Sequence, residues 1–148
     1  MRSGSVPIGR DRTILVVDDN VVVLKAFELK LKALGFRVLT AADGSDAVTL
    51  VHQEKPDLIV LDINFPPDAY SYGLQWDGFT IMQWLQRFQE AAVIPIIIIT
   101  GEDPEKFKEK ALAAGAFAFF QKPINQEEFL LAVRRALGQA RGPEKKAT

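Results

Sequence analysis

Carboxylates follow two apolar segments that lie far apart in the chain. The first segment, Thr13–Val17, leads into Asp18 and Asp19, and the second, LIVL, leads into Asp62. If these segments are neighbouring parallel strands, three carboxylates meet at one sheet edge, where they repel and raise one another's pKa. A small hard cation relieves this repulsion, and oxygen ligands without histidine or cysteine suit magnesium. The sequence therefore predicts an Mg2+ site at Asp18, Asp19 and Asp62.

A hydroxyl and an ammonium follow two further apolar segments. IIIITGE offers the hydroxyl of Thr100, and FAFFQKP offers the ammonium of Lys122. A carboxylate, a metal ion, a hydroxyl and a cation around one point are the components of a phosphoryl-transfer site. On this interpretation Asp62 is the catalytic nucleophile and forms an aspartyl phosphate, while Thr100 and Lys122 hold phosphoryl oxygens.

Each of these residues also has an ordinary explanation when it is taken alone. Asp18 and Asp19 could cap or flank the start of a helix, because a helical pattern begins directly after them. Asp62 could simply end a strand, Thr100 could cap a helix, and Lys122 could be solvated. The chemical interpretation therefore depends on the fold that brings the residues together.

Short apolar strands alternate with amphipathic helices along the chain. We predict strands at 13–17, 37–40, 57–61, 95–99 and 116–120, and helices at 20–34, 44–53, 78–90, 103–114 and 126–137. Near-continuous apolar runs such as LIVL and IIII are typical of parallel strands buried on both faces. The pattern predicts an α/β fold: a doubly wound five-stranded parallel sheet of flavodoxin-like order 2-1-3-4-5, with five helices on two faces. Ligands bind such sheets at the carboxyl ends of the strands where the order reverses.

Composition limits the classes of function. The 148 residues suit one domain, which we place at 13–138 between a flexible N-terminus (1–12) and a polar tail (139–148). The formal net charge of −1 gives no support for nucleic-acid binding. The absence of cysteine excludes disulfides and thiolate sites. No signal peptide or membrane span is visible, so we expect a cytoplasmic protein without membrane association.

Four motifs together carry a family resemblance. VVDDN, LDINFP, ITGE and QKP stand in this order at the predicted strand ends. The set resembles the receiver domain of two-component response regulators, which has the fold of the chemotaxis regulators, and the resemblance covers about 13–138. It implies that Asp62 is the phosphoacceptor, that Asp19 is a direct metal ligand and that Asp18 acts largely through water. The backbone carbonyl of Asn64 would complete the protein ligands.

The same resemblance implies a conformational switch. Thr100 is similar in position to the switch hydroxyl, Lys122 to the phosphate-sensing lysine and Phe119 to the switch aromatic, although Phe119 lacks a tyrosine hydroxyl. The Lys122–Pro123 bond is expected to be cis. Asn64 and Glu102 flank the path of hydrolytic water and are expected to tune dephosphorylation.

The implied partners are proteins. The phosphodonor would be the phosphohistidine of a sensor histidine kinase or a phosphotransfer protein. Phosphorylation would switch the family's α4-β5-α5 face, here the fourth predicted helix, fifth strand and fifth predicted helix, toward an unknown downstream target. The sequence leaves open whether the chain forms a homodimer through this face. Since no output domain fits in the remaining residues, the chain is either a stand-alone receiver or a fragment of a larger regulator.

One segment departs from the family pattern. Ten residues, 67–76, separate Pro66 from Asp77 beside the predicted site, which makes the connection about eight residues longer than is usual in the family; they include Tyr70, Tyr72 and Trp76. The insertion is either a surface loop held by Trp76, or a lid or partner-docking loop that alters access to Asp62.

Three other functions compete with a signalling receiver, which would not be a turnover enzyme. A magnesium-dependent phosphatase with an aspartyl nucleophile would usually place an acid/base Asp where this chain has Asn64, which cannot do that work. An FMN binder would need a hydroxyl-rich and amide-rich loop after the first strand, where Asp18 and Asp19 would repel phosphate. A pseudo-receiver that only docks would not need the intact acidic set.

Overall fold

The computed structural model describes residues 11–62, 93–101 and 104–140, together with Met82, Gln83, Leu85 and Arg87. The described strands are β1 (Thr13–Val17), β2 (Arg37–Ala41), β3 (Leu58–Asp62), β4 (Ile96–Thr100) and β5 (Ala118–Gln121). The described helices are α1 (Val21–Ala33), α2 (Gly44–Glu54), α3 (Pro104–Ala113) and α4 (Gln126–Ala140). Several parts of the chain to which predictions refer lie outside the described residues. They are Asn64, Glu102, the 67–76 insertion, most of the predicted helix 78–90, and both chain ends (1–10 and 141–148).

The five strands form one parallel sheet in the order β2-β1-β3-β4-β5, as predicted. An apolar cluster lies on each face. One contains Leu15, Leu61 and Ile98 with residues of α2 and α3 and the buried Met82 and Leu85. The other packs alternate strand residues against α1 and α4, with Phe129 fully buried. Helical residues on both faces confirm the doubly wound architecture, since each face of the sheet needs an apolar cover.

The helix ends follow local chemistry. Asn20 caps α1, because its side chain accepts hydrogen bonds from the backbone N–H groups of Val22 and Val23. Gly35 and Gly115 follow α1 and α3 with φ of 97° and 107°, where glycine has no Cβ to clash. Both glycines match the predicted helix ends.

Several predicted boundaries were wrong. Strands β3 and β4 each lie one residue further along the chain than predicted, so Asp62 and Thr100 are the last strand residues rather than the first residues after the strands. Strand β5 begins at Ala118, because the N–H of Ala116 bonds to Ala111 O and so belongs to the end of α3. Helix α4 continues to Ala140, into the predicted tail, since a single glycine at 138 weakens a helix without breaking it.

None of the helices in the described ranges has the length and apolar character that a membrane span requires.

Candidate functional site

Two central strands place the acidic residues at one edge of the sheet. Val17 of β1 is the register partner of Leu61 of β3, so Asp18 and Asp62 follow at the same level. One carboxylate oxygen from each of Asp18, Asp19 and Asp62 lies within 4.8 Å of the others. Asp62 is 5% exposed and Asp18 is fully buried, whereas Asp19 is exposed. The structure thus brings together the three carboxylates that the sequence predicted to meet.

Asp18 is held from two sides. Its Oδ1 accepts the backbone N–H of Asn20 at 2.9 Å, and its Oδ2 accepts a hydrogen bond from Lys122 Nζ at 2.8 Å. Burying a carboxylate is costly unless it is paired and hydrogen-bonded, and these two donors meet that requirement. Since the Asp18 carboxylate is used in this way, the residue that caps α1 is Asn20, whose side chain accepts the first free N–H groups of the helix.

Asn20 is a residue to which we assigned no role from the sequence. Its side chain starts α1, and its backbone N–H orients the Asp18 carboxylate. The signal was present, because Asn directly before a helical pattern is a common N-cap.

Lys122 enters the site from β5. Its backbone N–H donates to Thr100 O at 2.7 Å, which is the hydrogen bond of the last register pair of β4 and β5, Thr100 and Gln121. Its Nζ lies 3.7 Å from Asp62 Oδ2 as well as 2.8 Å from Asp18 Oδ2. Burial alone would lower the pKa of Lys122, but the hydrogen bond to Asp18 and the charges of Asp62, Asp18 and Asp19 together raise it above its ordinary value of 10.5. The side chain is therefore an ammonium at neutral pH.

Thr100 and Phe119 occupy neighbouring strands. Thr100 is fully buried at the carboxyl end of β4, one residue beyond Ile99, the register partner of Asp62. Phe119 is half-buried in β5 and packs against the apolar cluster that includes α2 and α3. The Lys122–Pro123 peptide bond is cis, as expected. Whether Thr100 and Phe119 act as a switch stays a prediction.

The donor set fits magnesium. Three clustered carboxylates lie near one ammonium, that of Lys122, so negative charge exceeds positive charge within this group of four side chains. The cluster offers only oxygen ligands, which hard cations such as Mg2+ prefer, and the two positive charges of the ion would balance the excess negative charge.

A family model and known relatives match the chain. The model of the response regulator receiver domain matches residues 14–134. The chain belongs to the response regulator receiver domain family. Protein PilH of Pseudomonas aeruginosa is 35% identical over 84% of this chain and 96% of its own length. The crystal structure of the chemotaxis response regulator CheY4 of Vibrio cholerae is 29% identical, with a TM-score of 0.72 over 84% of this chain and 98% of that one.

Some relatives are longer. The probable transcriptional regulator ycf27 of Cyanophora paradoxa is 32% identical over 89% of this chain, which spans 51% of that relative. Receiver domains are signalling modules of two-component systems that bind Mg2+ in an acidic pocket and interact with histidine kinases or phosphotransfer proteins and with downstream targets. The described carboxylates form such an acidic pocket in this receiver domain.

Proposed function

We propose that this receiver domain accepts a phosphoryl group on Asp62 from a phosphohistidine of a sensor histidine kinase or phosphotransfer protein. Asp18, Asp19 and Asp62 hold Mg2+, with the backbone carbonyl of Asn64 as a further ligand. The product is a signal rather than a released compound, so each chain takes up one phosphoryl group without steady turnover. Its compartment is the cytoplasm, where sensor kinases present their phosphohistidine.

One arrangement carries this proposal. The carboxylate oxygens of Asp18, Asp19 and Asp62 lie within 4.8 Å of one another, and an ammonium stands 3.7 Å from Asp62. A structural ion pair would need only one carboxylate for Lys122. Three carboxylates beside one ammonium carry excess negative charge, which a divalent cation would balance. That cation and Lys122 would together attract the oxygens of a phosphoryl group.

The residues divide the work of transfer. An oxygen of Asp62 attacks phosphorus, the new O–P bond forms as the P–N bond of phosphohistidine breaks, and the electron pair leaves on the imidazole nitrogen. Asp62 attacks as a carboxylate with the Lys122 ammonium 3.7 Å from its Oδ2, so no general base takes part in the step. Asp18, Asp19 and Asp62 would hold Mg2+ beside the transferred group, where the ion would supply positive charge to the phosphoryl oxygens. Lys122 is positioned to pair with one of these oxygens, for which it must give up part of its bond to Asp18.

Thr100 and Phe119 transmit the phosphorylation of Asp62 to the protein surface as a conformational change. Thr100 hydrogen-bonds the phosphoryl group, and Phe119 moves further into the apolar cluster it already touches. The surface formed by α3, β5 and α4 then changes its affinity for a downstream protein. Asn64 and Glu102 set how fast water removes the phosphoryl group.

Intact-mass spectrometry after incubation with acetyl phosphate and Mg2+ tests this proposal. We expect one phosphate adduct on the wild type, none on Asp62→Asn, and none after chelation of the metal. Asp57→Asn is the matched control, because Asp57 lies at the opposite end of β3, where it accepts the N–H of Thr13 at 2.8 Å. An adduct that persists in Asp62→Asn would place the nucleophile elsewhere. Continuous hydrolysis of a phosphomonoester would favour the phosphatase alternative.

A further inference from the structure

Consecutive hydrogen bonds connect the acidic cluster to the start of α1. The backbone N–H of Asn20 donates to Asp18 Oδ1 at 2.9 Å. The side-chain Oδ1 of Asn20 in turn accepts the N–H of Val22 at 2.9 Å and that of Val23 at 3.3 Å. The two 2.9 Å bonds each close a short turn in which an Asp or Asn side chain bonds to the backbone two residues further on. Asn20 therefore links the orientation of the Asp18 carboxylate to the first turn of α1.

The first turn of α1 depends strongly on this cap. It begins with the valines of Val21–Val23, whose β-branched side chains are weaker helix formers than unbranched ones. Val21 and Val22 are 68% and 73% exposed, so burial contributes little to their order. The turn carries no acidic residue that would interact favourably with the helix dipole, and the first core residue of the helix is Leu24. Loss of the cap should therefore fray this turn and release the backbone at position 20.

The Asp18 carboxylate depends on the Asn20 N–H for its orientation. The backbone of Asp18 is fixed by β2, because its N–H bonds to Ala41 O at 3.1 Å. The carboxylate itself is held by the Asn20 N–H and by Lys122 Nζ. Lys122 Nζ also lies 3.7 Å from Asp62 Oδ2, and in the proposed transfer step it is shared with a phosphoryl oxygen. The Asn20 N–H is then the donor that keeps Asp18 in its orientation.

We propose that Asn20 is a positioning residue for the metal site, an inference that rests on the Mg2+ site of the proposed function. By capping α1, Asn20 holds its own N–H against Asp18 and so keeps this carboxylate in the arrangement that binds Mg2+. The cap and the ion are then coupled: order at the start of α1 favours Mg2+ binding, and bound Mg2+ orders the start of α1 in return. Asn20 acts on the ion through Asp18, which distinguishes it from the metal ligands themselves.

Calorimetric titration with Mg2+ tests this coupling. Asn20→Ala removes the cap, whereas Asn20→Ser keeps a side-chain oxygen that caps helices well. Asn125→Ala is the matched control, because Asn125 caps α4 by accepting the Glu128 N–H at 3.0 Å but makes no bond to Asp18. We expect Asn20→Ala to weaken Mg2+ binding about fivefold, the population change that loss of a helix cap usually brings. Asn20→Ser and Asn125→Ala should stay within about twofold of the wild type.

Amide hydrogen exchange gives the reciprocal readout. Saturating Mg2+ should slow exchange at the N–H groups of Val22 and Val23 in the wild type, because the ion stabilises the turn that protects them. The slowing should be smaller in Asn20→Ala, where these groups have lost their acceptor. The N–H of Glu128, which is capped by Asn125, should exchange equally with and without Mg2+.

Several results would refute the positioning role of Asn20. They are unchanged Mg2+ affinity in an Asn20→Ala variant that unfolds at lower urea, equal weakening in Asn20→Ala and either other variant, and no effect of Mg2+ on exchange at Val22 and Val23. A wild type that binds no Mg2+ would refute it as well. A wild type that shows the expected Mg2+ pattern but forms no phosphate adduct would instead refute the proposed phosphoryl transfer and leave the positioning role of Asn20 standing.

Discussion

The ion pair between Lys122 and Asp18 should stabilise the metal-free protein and oppose metal binding. Lys122→Met keeps most of the apolar stem but removes the ammonium, which leaves a fully buried carboxylate with one fewer donor. A hydrogen bond to a charged group contributes about 1.5–3 kcal/mol. Since the Lys122 side chain is 27% exposed, water can replace part of the lost bond. We therefore expect the free energy of unfolding to fall by about 1–2 kcal/mol.

Urea unfolding without and with Mg2+ measures this effect. Lys32→Met is the matched control, because Lys32 Nζ also lies 2.8 Å from a carboxylate, that of Glu28, but on the exposed surface of α1. Exposed pairs of this kind contribute little, so the control should unfold almost as the wild type does.

The same substitution should have the opposite effect on the metal. Removal of a positive charge next to the carboxylates lowers the repulsion that Mg2+ meets, so Lys122→Met should bind Mg2+ more tightly and gain more stability from it than the wild type. Equal losses in Lys122→Met and Lys32→Met, or weaker Mg2+ binding in Lys122→Met, would refute the reasoning.

Further predictions concern pH and the helix ends. Because the pKa of Lys122 is raised in the folded protein, its stabilising effect is fully present below the ordinary value of 10.5 and is lost as pH rises through the folded-state pKa. The stability gap between wild type and Lys122→Met should therefore be constant near neutral pH and shrink in metal-free urea titrations above pH 10.5. Asn20→Ala should cost about 1 kcal/mol in urea unfolding while Asn20→Asp costs less, because only the first removes the cap of α1; equal losses would contradict this. Gly35→Ala should lower the unfolding free energy by about 1 kcal/mol or more, since Gly35 has a φ of 97°; an unchanged thermal midpoint would contradict it.

The order of apolar and polar segments was enough to predict the architecture. Runs such as LIVL and IIII are typical of parallel strands buried on both faces, and the helical segments between them provide the apolar cover for the two faces. The strand order then places Asp18 and Asp62 on adjacent strands. The boundaries of β5 and α4 were harder to predict. At Ala116 the N–H bonds back to the preceding helix, which delays the start of β5. After Leu137 the helical hydrogen bonding continues, so α4 ends later than the sequence pattern indicates.

The sequence by itself determined which groups could do chemistry and at which edge of the sheet they stand, because residue type and strand periodicity are local properties. Only the tertiary structure decided that Lys122 bonds to Asp18, 104 residues away, more closely than to Asp62. It also decided that Asp18 is fully buried and is held by the N–H of Asn20. Such pairings depend on strand register and on the depth at which each side chain loses water, and both arise only when distant segments pack against one another.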